Sequence, residues 1–234
     1  MIDWTAISQN PVAPEVRGAI VSELFSRRRR TTGSERFLQS FVSGMRVLDI
    51  GVVEHDISHI ESPNWKHQKI HQWASHVLGI DIIPAAVELL NARGFNVRQM
   101  DATSEEDLGE KFDRVVIGDV IEHVNHPVDL LKFAARHLVP GGRILVSTPN
   151  PYWIAFIWGT IRDGTLVTNA DHVSWVSPSA ALEIGRRAGL DLHEYWLLQG
   201  DQAPAKRMLR RLVNRLFPNS EIFSSNFFYI FAKE

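Results

Sequence analysis

VLDIGVVEHD, from Val47 to Asp56, is the stretch that decides how this chain folds. Val47, Leu48 and Ile50 make an apolar run that closes on Asp49 and Gly51, and the polar cluster Glu54, His55, Asp56 follows at once. Such a run reads as a short buried strand, and a glycine directly behind it lets the backbone turn sharply and approach a ligand. Nucleotide-type cofactors are held in this way at the carboxyl ends of parallel strands. A second unit, VLGIDII from Val77 to Ile83, ends its apolar strand on Asp81. Two parallel strands that each end in a carboxylate suit a ribose and a charged tail.

The flanking segments alternate helix and strand. From Glu15 the residues Val16, Ala19, Ile20 and Leu24 fall at helical spacing and run into Arg27 to Arg30. Four arginines there offset the helix dipole, or else contact a phosphate-bearing substrate such as a nucleotide sugar. Glu35 to Val42 reads as a short helix. In the segment after the first loop, Ser62-Pro63 has the chemistry of an N-cap and first helical position. Pro84 opens a helix that Gly94 closes, and Phe95 to Met100 is the next strand. Asp113 to Gly118 is a further strand, Pro127 to Leu138 an amphipathic helix stopped by Pro140-Gly141-Gly142, and Ile144 to Ser147 the fifth strand. Beyond Pro149 the rhythm changes: residues 151–176 are rich in tryptophan, glycine and polar residues. Pro178 to Ala188 is a helix with Ser177 as its cap, Asp191 to Leu198 and Phe227 to Ala232 are strands, and Lys206 to Leu216 is a basic amphipathic helix. Strands alternating with helices in this way predict a parallel, doubly wound α/β sheet.

Composition narrows the classes of function. The chain has 234 residues, 44% of them apolar and 22% charged, enough for one globular domain with a full core. A formal net charge of -2 argues against a general nucleic-acid binder. There is no cysteine, which excludes disulfides and thiolate metal sites. The N-terminus lacks a basic start followed by an apolar core, and Tyr152 to Ile161 is shorter than the roughly 20 residues a membrane span needs. The expectation is a cytoplasmic protein without stable membrane insertion. His55 and His59, and separately His67 and His71, stand i to i+4, but without an HExxH frame they read as polar helix faces rather than metal ligands.

Five stretches carry a resemblance: VLDIG (Val47 to Gly51), GIDII (Gly79 to Ile83), MDA (Met100 to Ala102), FDRVVIGDVIEHV (Phe112 to Val124) and LVPGGRILVSTPN (Leu138 to Asn150). In this order and spacing the chain resembles the class I S-adenosylmethionine-dependent methyltransferases, most closely the small-molecule branch that includes the ubiquinone-biosynthesis O-methyltransferases. The resemblance covers roughly residues 44–198. It implies a doubly wound, mostly parallel, seven-stranded Rossmann-like sheet with an antiparallel last strand and a cap insertion after strand five. Residues 1–43 would then be an N-terminal helical segment, residues 44–234 the methyltransferase domain, and about 151–176 the substrate-covering cap. In one place the chain departs from the family: Val53 and His55 stand where the first loop has its second and third glycines.

By that resemblance S-adenosylmethionine is the cofactor. Asp81 accepts hydrogen bonds from the ribose hydroxyls with Ile82 beside it, and Asp101 and the Ala102 backbone face the adenine amino group. Asp49 and Gly51 border the methionine end, where Glu54 and His55 meet the ammonium and carboxylate. Gly118 and Asp119 end their strand beside the transferable methyl. Methyl transfer to a hydroxyl needs an aligned nucleophile and a base, and the candidates are His172, His123 and Asp171. The aromatic residues Tyr152, Trp153, Trp158 and Trp175 and the arginine-rich flanks incline the acceptor toward a hydroxylated small molecule, a sugar or nucleotide sugar. The competing reading is a non-catalytic module whose degenerate loop binds S-adenosylmethionine, its product or nothing and which acts through partners, and the intact Asp81, Asp101 and GDVIEHV argue against it. A nicotinamide dehydrogenase would want Gly-x-Gly-x-x-Gly, which GVVEHD does not supply.

Overall fold

The computed structural model describes residues 10–11, 13–31, 33–53, 57–198 and 220–233. Eight strands form one sheet in the order β1-β7-β8-β6-β5-β2-β3-β4. They are β1 Arg28–Thr31, β2 Arg46–Ile50, β3 His76–Asp81, β4 Val97–Gln99, β5 Phe112–Gly118, β6 Leu138–Pro149, β7 Leu190–Leu198 and β8 Asn226–Lys233. The last strand runs antiparallel to both β6 and β7, and every other pairing is parallel.

The helices are α1 Pro14–Arg27, α2 Ser34–Val42, α3 Lys66–Trp73, α4 Pro84–Ala92, α5 Pro127–Arg136, α6 Ile154–Asp163 and α7 Pro178–Arg187, with a 3-10 turn at Ile57–Glu61. They cover both faces, and the period-two alternation of the strands sorts the core accordingly. Val47 and Val116 meet Val42 of α2 and Ile70 of α3, whereas Leu48, Val115 and Ile117 join Leu130, Leu131 and Ala134 of α5 and Ala181 of α7. The chain passes from β2 outward through β3 and β4 and returns to place β5 on the other side of β2. The crevice beyond the carboxyl ends of β2 and β5 is therefore the switch point where ligands bind in such sheets.

Several sequence expectations are corrected here. The sheet has eight strands rather than seven, because Arg28 to Arg30 do not end a helix but form β1, parallel to β7. Arg27 Nη1 sits 2.6 Å from Asp191 Oδ1, which fixes the end of α1 against β7. Arg29 lies 3.7 Å from Glu194, so these two arginines answer carboxylates of the neighbouring strand. Ser62-Pro63 does not start a helix. Trp65 is buried, and its indole N–H donates to the Val52 carbonyl at 2.8 Å, so α3 begins only at Lys66. His67 is not on a polar face: it is 1% exposed and faces the sheet. Pro140-Gly141-Gly142 lies within β6 rather than in a loop, and the cap region holds a helix of its own, α6. Gly94 has φ +88 and Ser177 Oγ accepts from Ala180 N, as expected for a helix end and a helix cap. The basic stretch Lys206 to Leu216 lies outside the described residues.

Candidate active site

A cavity of about 470 Å³ opens at the switch point, lined among others by Gly51, Asp81, Ile82, Asp101, Ala102 and His123. Gly51 leaves β2 with φ +77, and a Cβ there would come within 2.3 Å of Val120 Cγ2. Both facts require glycine, so this one glycine of the first loop is kept where the next two are replaced. The replacement at Val53 is accommodated by Trp65, which precedes α3, and by Asp81 of β3, while His55 lies outside the described residues. Val52 and Val53 pack with Trp65 in an apolar cluster, and Val53 N donates to Asp81 Oδ2 at 2.9 Å. The other Asp81 oxygen accepts from Ile83 N at 3.1 Å. The carboxylate thus braces both the first loop and the start of α4 while it borders the cavity. Asp101 Oδ1 accepts from Thr103 N and Thr103 Oγ1, which holds the turn after β4 open toward the same space.

Asp49 lies beneath this floor. It is 4% exposed and bonded through Oδ2 to His67 Nδ1 at 2.8 Å. It therefore orients the buried end of α3 and does not line the cavity. Gly118 and Asp119 stand at the end of β5, where Lys66 crosses over them. A Cβ on Gly118 would lie 3.6 Å from Lys66 Nζ, and Lys66 Nζ lies 2.6 Å from Asp119 Oδ2. Asp119 also accepts from Ser147 Oγ at 2.9 Å and adopts φ 53, a left-handed conformation rare outside glycine. Burial raises its pKa, but the adjacent ammonium and these hydrogen bonds outweigh it and hold the carboxyl below the usual range. Glu54 and His55 lie outside the described residues.

The three candidate proton-handling residues come together although His123 is far along the chain from the adjacent Asp171 and His172. His123 Nδ1 is 3.1 Å from Asp171 Oδ2, and the rings of His123 and His172 meet edge to face at 4.8 Å. Trp175 lies edge-on to His172 at 5.6 Å, and Phe156 of α6 stands next to Trp175. Trp158, by contrast, is 66% exposed and lies on the outer side of the cap. The cap is stitched down through the main chain: Val173 N and Ser174 N both donate to the Glu122 carbonyl, at 2.9 and 3.2 Å.

Two residues the sequence reading passed over belong here. Lys66 carries no signal in the sequence, being one of the two lysines of a helix that begins three residues beyond Pro63. Glu122 sits within the quoted EHV run but not among the residues expected to handle the proton. It is 1% exposed, and Oε2 accepts from Thr148 Oγ1 at 3.1 Å. Burial, then the nearby Asp119 charge, push its carboxyl up to about 7.

A mostly parallel sheet with its switch-point cavity, carboxylates at successive strand ends and a capped polar cluster beside them is a Rossmann-like architecture suited to a nucleotide-type cofactor. Residues 24–195 match the family model described as a methyltransferase domain, and the chain belongs to that family. S-adenosylmethionine is its cofactor. The chain is 28% identical over 159 residues to the ubiquinone biosynthesis O-methyltransferase of Aeromonas salmonicida (strain A449). It is 27% identical over 165 residues to the protein of the same name from Xylella fastidiosa (strain M23). These matches take in 63% and 65% of this chain and 63% of the length of each relative. Among solved structures, the S-adenosylmethionine dependent methyltransferase from Mesorhizobium loti superposes with a TM-score of 0.56 at 16% identity, over 85% of this chain and 95% of that one. That likeness is one of fold. Among the described residues no helix is long and apolar enough to cross a membrane.

Proposed function

We propose that this chain transfers the methyl group of S-adenosylmethionine to a hydroxyl oxygen of a small, polar acceptor, a sugar or nucleotide sugar being the class to screen first. The observation that carries the reading is that His123, paired with Asp171 and in ring contact with His172, lines the same cavity as Asp81 and Asp101. Cofactor-binding carboxylates and a proton-handling cluster thus share one space, as an in-line displacement needs. Asp81 and Ile82 take the ribose, Asp101 and Ala102 the adenine, and Gly51, Gly118 and Asp119 border the methionine end and its methyl. Asp49 supports the floor from below. His123, His172 and Asp171 handle the hydroxyl proton as the oxygen attacks. The O-methyltransferase names of the relatives support oxygen as the acceptor atom.

Titration calorimetry with S-adenosylmethionine and S-adenosylhomocysteine, with Asp81→Ala as the control, tests the cofactor half. Saturable binding that the substitution weakens at least tenfold is expected. An absence of binding at millimolar ligand would favour the non-catalytic reading instead. Turnover on hydroxylated acceptors, screened with His123→Ala and His172→Ala, tests the rest. Full activity in both variants would remove the imidazoles from the chemistry.

A further inference from the structure

The helix α6 turns its apolar side outward. Ile154, Ile157, Trp158 and Ile161 recur at i, i+3, i+4 and i+7, the spacing of one continuous stripe along a helix. That stripe faces solvent: Trp158 and Ile161 are 66% and 68% exposed, and no residue of the helix is buried. The helix meets the rest of the molecule from its other side, where the Phe156 ring lies 5.4 Å from Trp153 and 6.3 Å from Trp175. Ten residues are too few for a helix to hold its shape in water without packing, so the bare stripe is the side where further support belongs.

The surrounding cap continues the pattern. Eight of the thirteen large apolar side chains that stand exposed among the described residues lie between Tyr152 and Val173, Leu166 and Val167 among them. Their combined exposed surface is on the order of 800 Å², about what one partner contributes to a specific interface of standard size. Charge decides which kind of partner fits. Residues 151–176 hold one arginine, Arg162, against two aspartates, Asp163 and Asp171, so the cap is net -1 with its histidine neutral. Arg162 is already answered by Asp163 at 2.6 Å. A helix that lies on a lipid surface carries lysines and arginines beside its apolar face to meet anionic headgroups, and α6 has none to spare. An apolar stripe of this kind suits another apolar stripe, and its own copy supplies one in the self-complementary arrangement of a twofold dimer.

We propose that the outer face of α6 is a dimer interface, occupied by α6 of a second copy that crosses it antiparallel about a twofold axis. The axis passes beside Ile157 and Trp158, midway along the stripe, so that Ile154 of each copy meets Ile161 of the other. Trp158 is the anchor, because a large aromatic side chain at the centre of an interface carries much of its energy. The Arg162–Asp163 pairs fall at the rim, where charged groups remain hydrated. Phe156 of the same helix stands against Trp175, and Trp175 against His172, so a second copy seated on the stripe also steadies the cap beside the polar cluster.

The test is sedimentation equilibrium of the full chain at up to about 100 µM, since interfaces of this size associate in the micromolar range or more tightly. We expect the parent at twice its chain mass of 26.5 kDa. Trp158→Glu and Ile161→Glu, both at exposed positions, should each weaken association at least tenfold, with the circular dichroism spectrum of the parent retained as evidence that the variants fold. The chain has no cysteine, so Ile157→Cys introduces a single thiol and should give a disulfide-linked dimer on mild oxidation, whereas Val21→Cys on α1 should not. A monomeric parent, association that persists in both glutamate variants, or equal cross-linking of the two cysteine variants would each overturn the proposal. So would a monomer that binds phosphatidylglycerol vesicles and loses them in Trp158→Glu, because the stripe would then be a lipid contact.

Discussion

Lys66 Nζ lies 2.6 Å from Asp119 Oδ2, so the helix that follows the first loop is tied to the turn that follows β5, directly over Gly118. Both side chains are more than a third exposed, and the pair contributes only about 0–1 kcal/mol to stability. Under the proposed function its larger effect is on charge at the methionine end, where Asp119→Asn would remove the carboxylate that offsets the Lys66 ammonium beside the sulfonium. The variant should therefore bind S-adenosylmethionine about tenfold more weakly than the parent, while the uncharged thioether S-adenosylhomocysteine loses much less. Equal losses for the two ligands in calorimetry would remove the electrostatic argument. The sign of the pH effect follows from the lowered pKa of Asp119. Its contribution is present above the ordinary carboxyl value of 3.8 and is lost as pH falls through the lower folded value.

Glu122 should make the protein less stable in alkali. Its carboxyl titrates near 4.5 when unfolded and at about 7 when folded. The folded state therefore prefers the protonated form, and a penalty appears as pH rises past 4.5 and is complete above about 7. The shift of about 2.5 units corresponds to roughly 3 kcal/mol. Urea unfolding of the parent and Glu122→Gln at pH 5 and pH 8 should show the parent losing up to about that much relative to the variant. Parallel behaviour of the two proteins would mean that Glu122 is not the buried charge inferred here.

Gly51→Ala should be strongly damaging. The new methyl would meet Val120 Cγ2, and alanine would be held at φ +77. A loss of about 2–4 kcal/mol is expected in chemical unfolding, from the clash and the left-handed backbone together. Adding Val120→Ala should recover the steric part and leave about 1 kcal/mol for the backbone. Full recovery in the double variant would show that the backbone conformation costs nothing here.

Much of this architecture was legible because parallel strands buried on both faces leave uninterrupted apolar runs. VLDIG, VLGID and RVVIG each lie in a strand at nearly the expected place, and Asp81 and Asp101 line the cavity that the resemblance implied. What was not legible depended on contacts between distant residues. Arg28 to Arg30 look like the end of a helix, and only pairing with β7 makes them a strand. Ser62-Pro63 has the chemistry of a helix start, and the burial of Trp65 overrides it. His67 reads as polar surface until Asp49 is seen 2.8 Å away. Glu122 and His172 are separated by α5, β6 and α6, so no spacing rule joins them.

Trp65→Phe should report on how the altered first loop is held. The ring would still fill the apolar space beside Phe95, whose centroid lies 5.1 Å away, but the bond to the Val52 carbonyl would be lost. A buried acceptor left without its donor costs about 1–3 kcal/mol. The loss should be accompanied by weaker cofactor binding, since Val52 and Val53 follow Gly51 directly. Unchanged cofactor affinity in the destabilised variant would separate loop support from ligand binding.

Because Val173 and Ser174 attach the cap through their amide groups to the Glu122 carbonyl, this part of its anchorage does not depend on which side chains the cap carries. Residues such as Trp175 or Phe156 can then be exchanged over evolutionary time, or in a grafted library, while the segment stays fastened over the site. Under the proposed function, inheritance of the chemistry and divergence of the acceptor would in this way be decoupled, and the cap would be the place to begin when redirecting the protein to a new substrate.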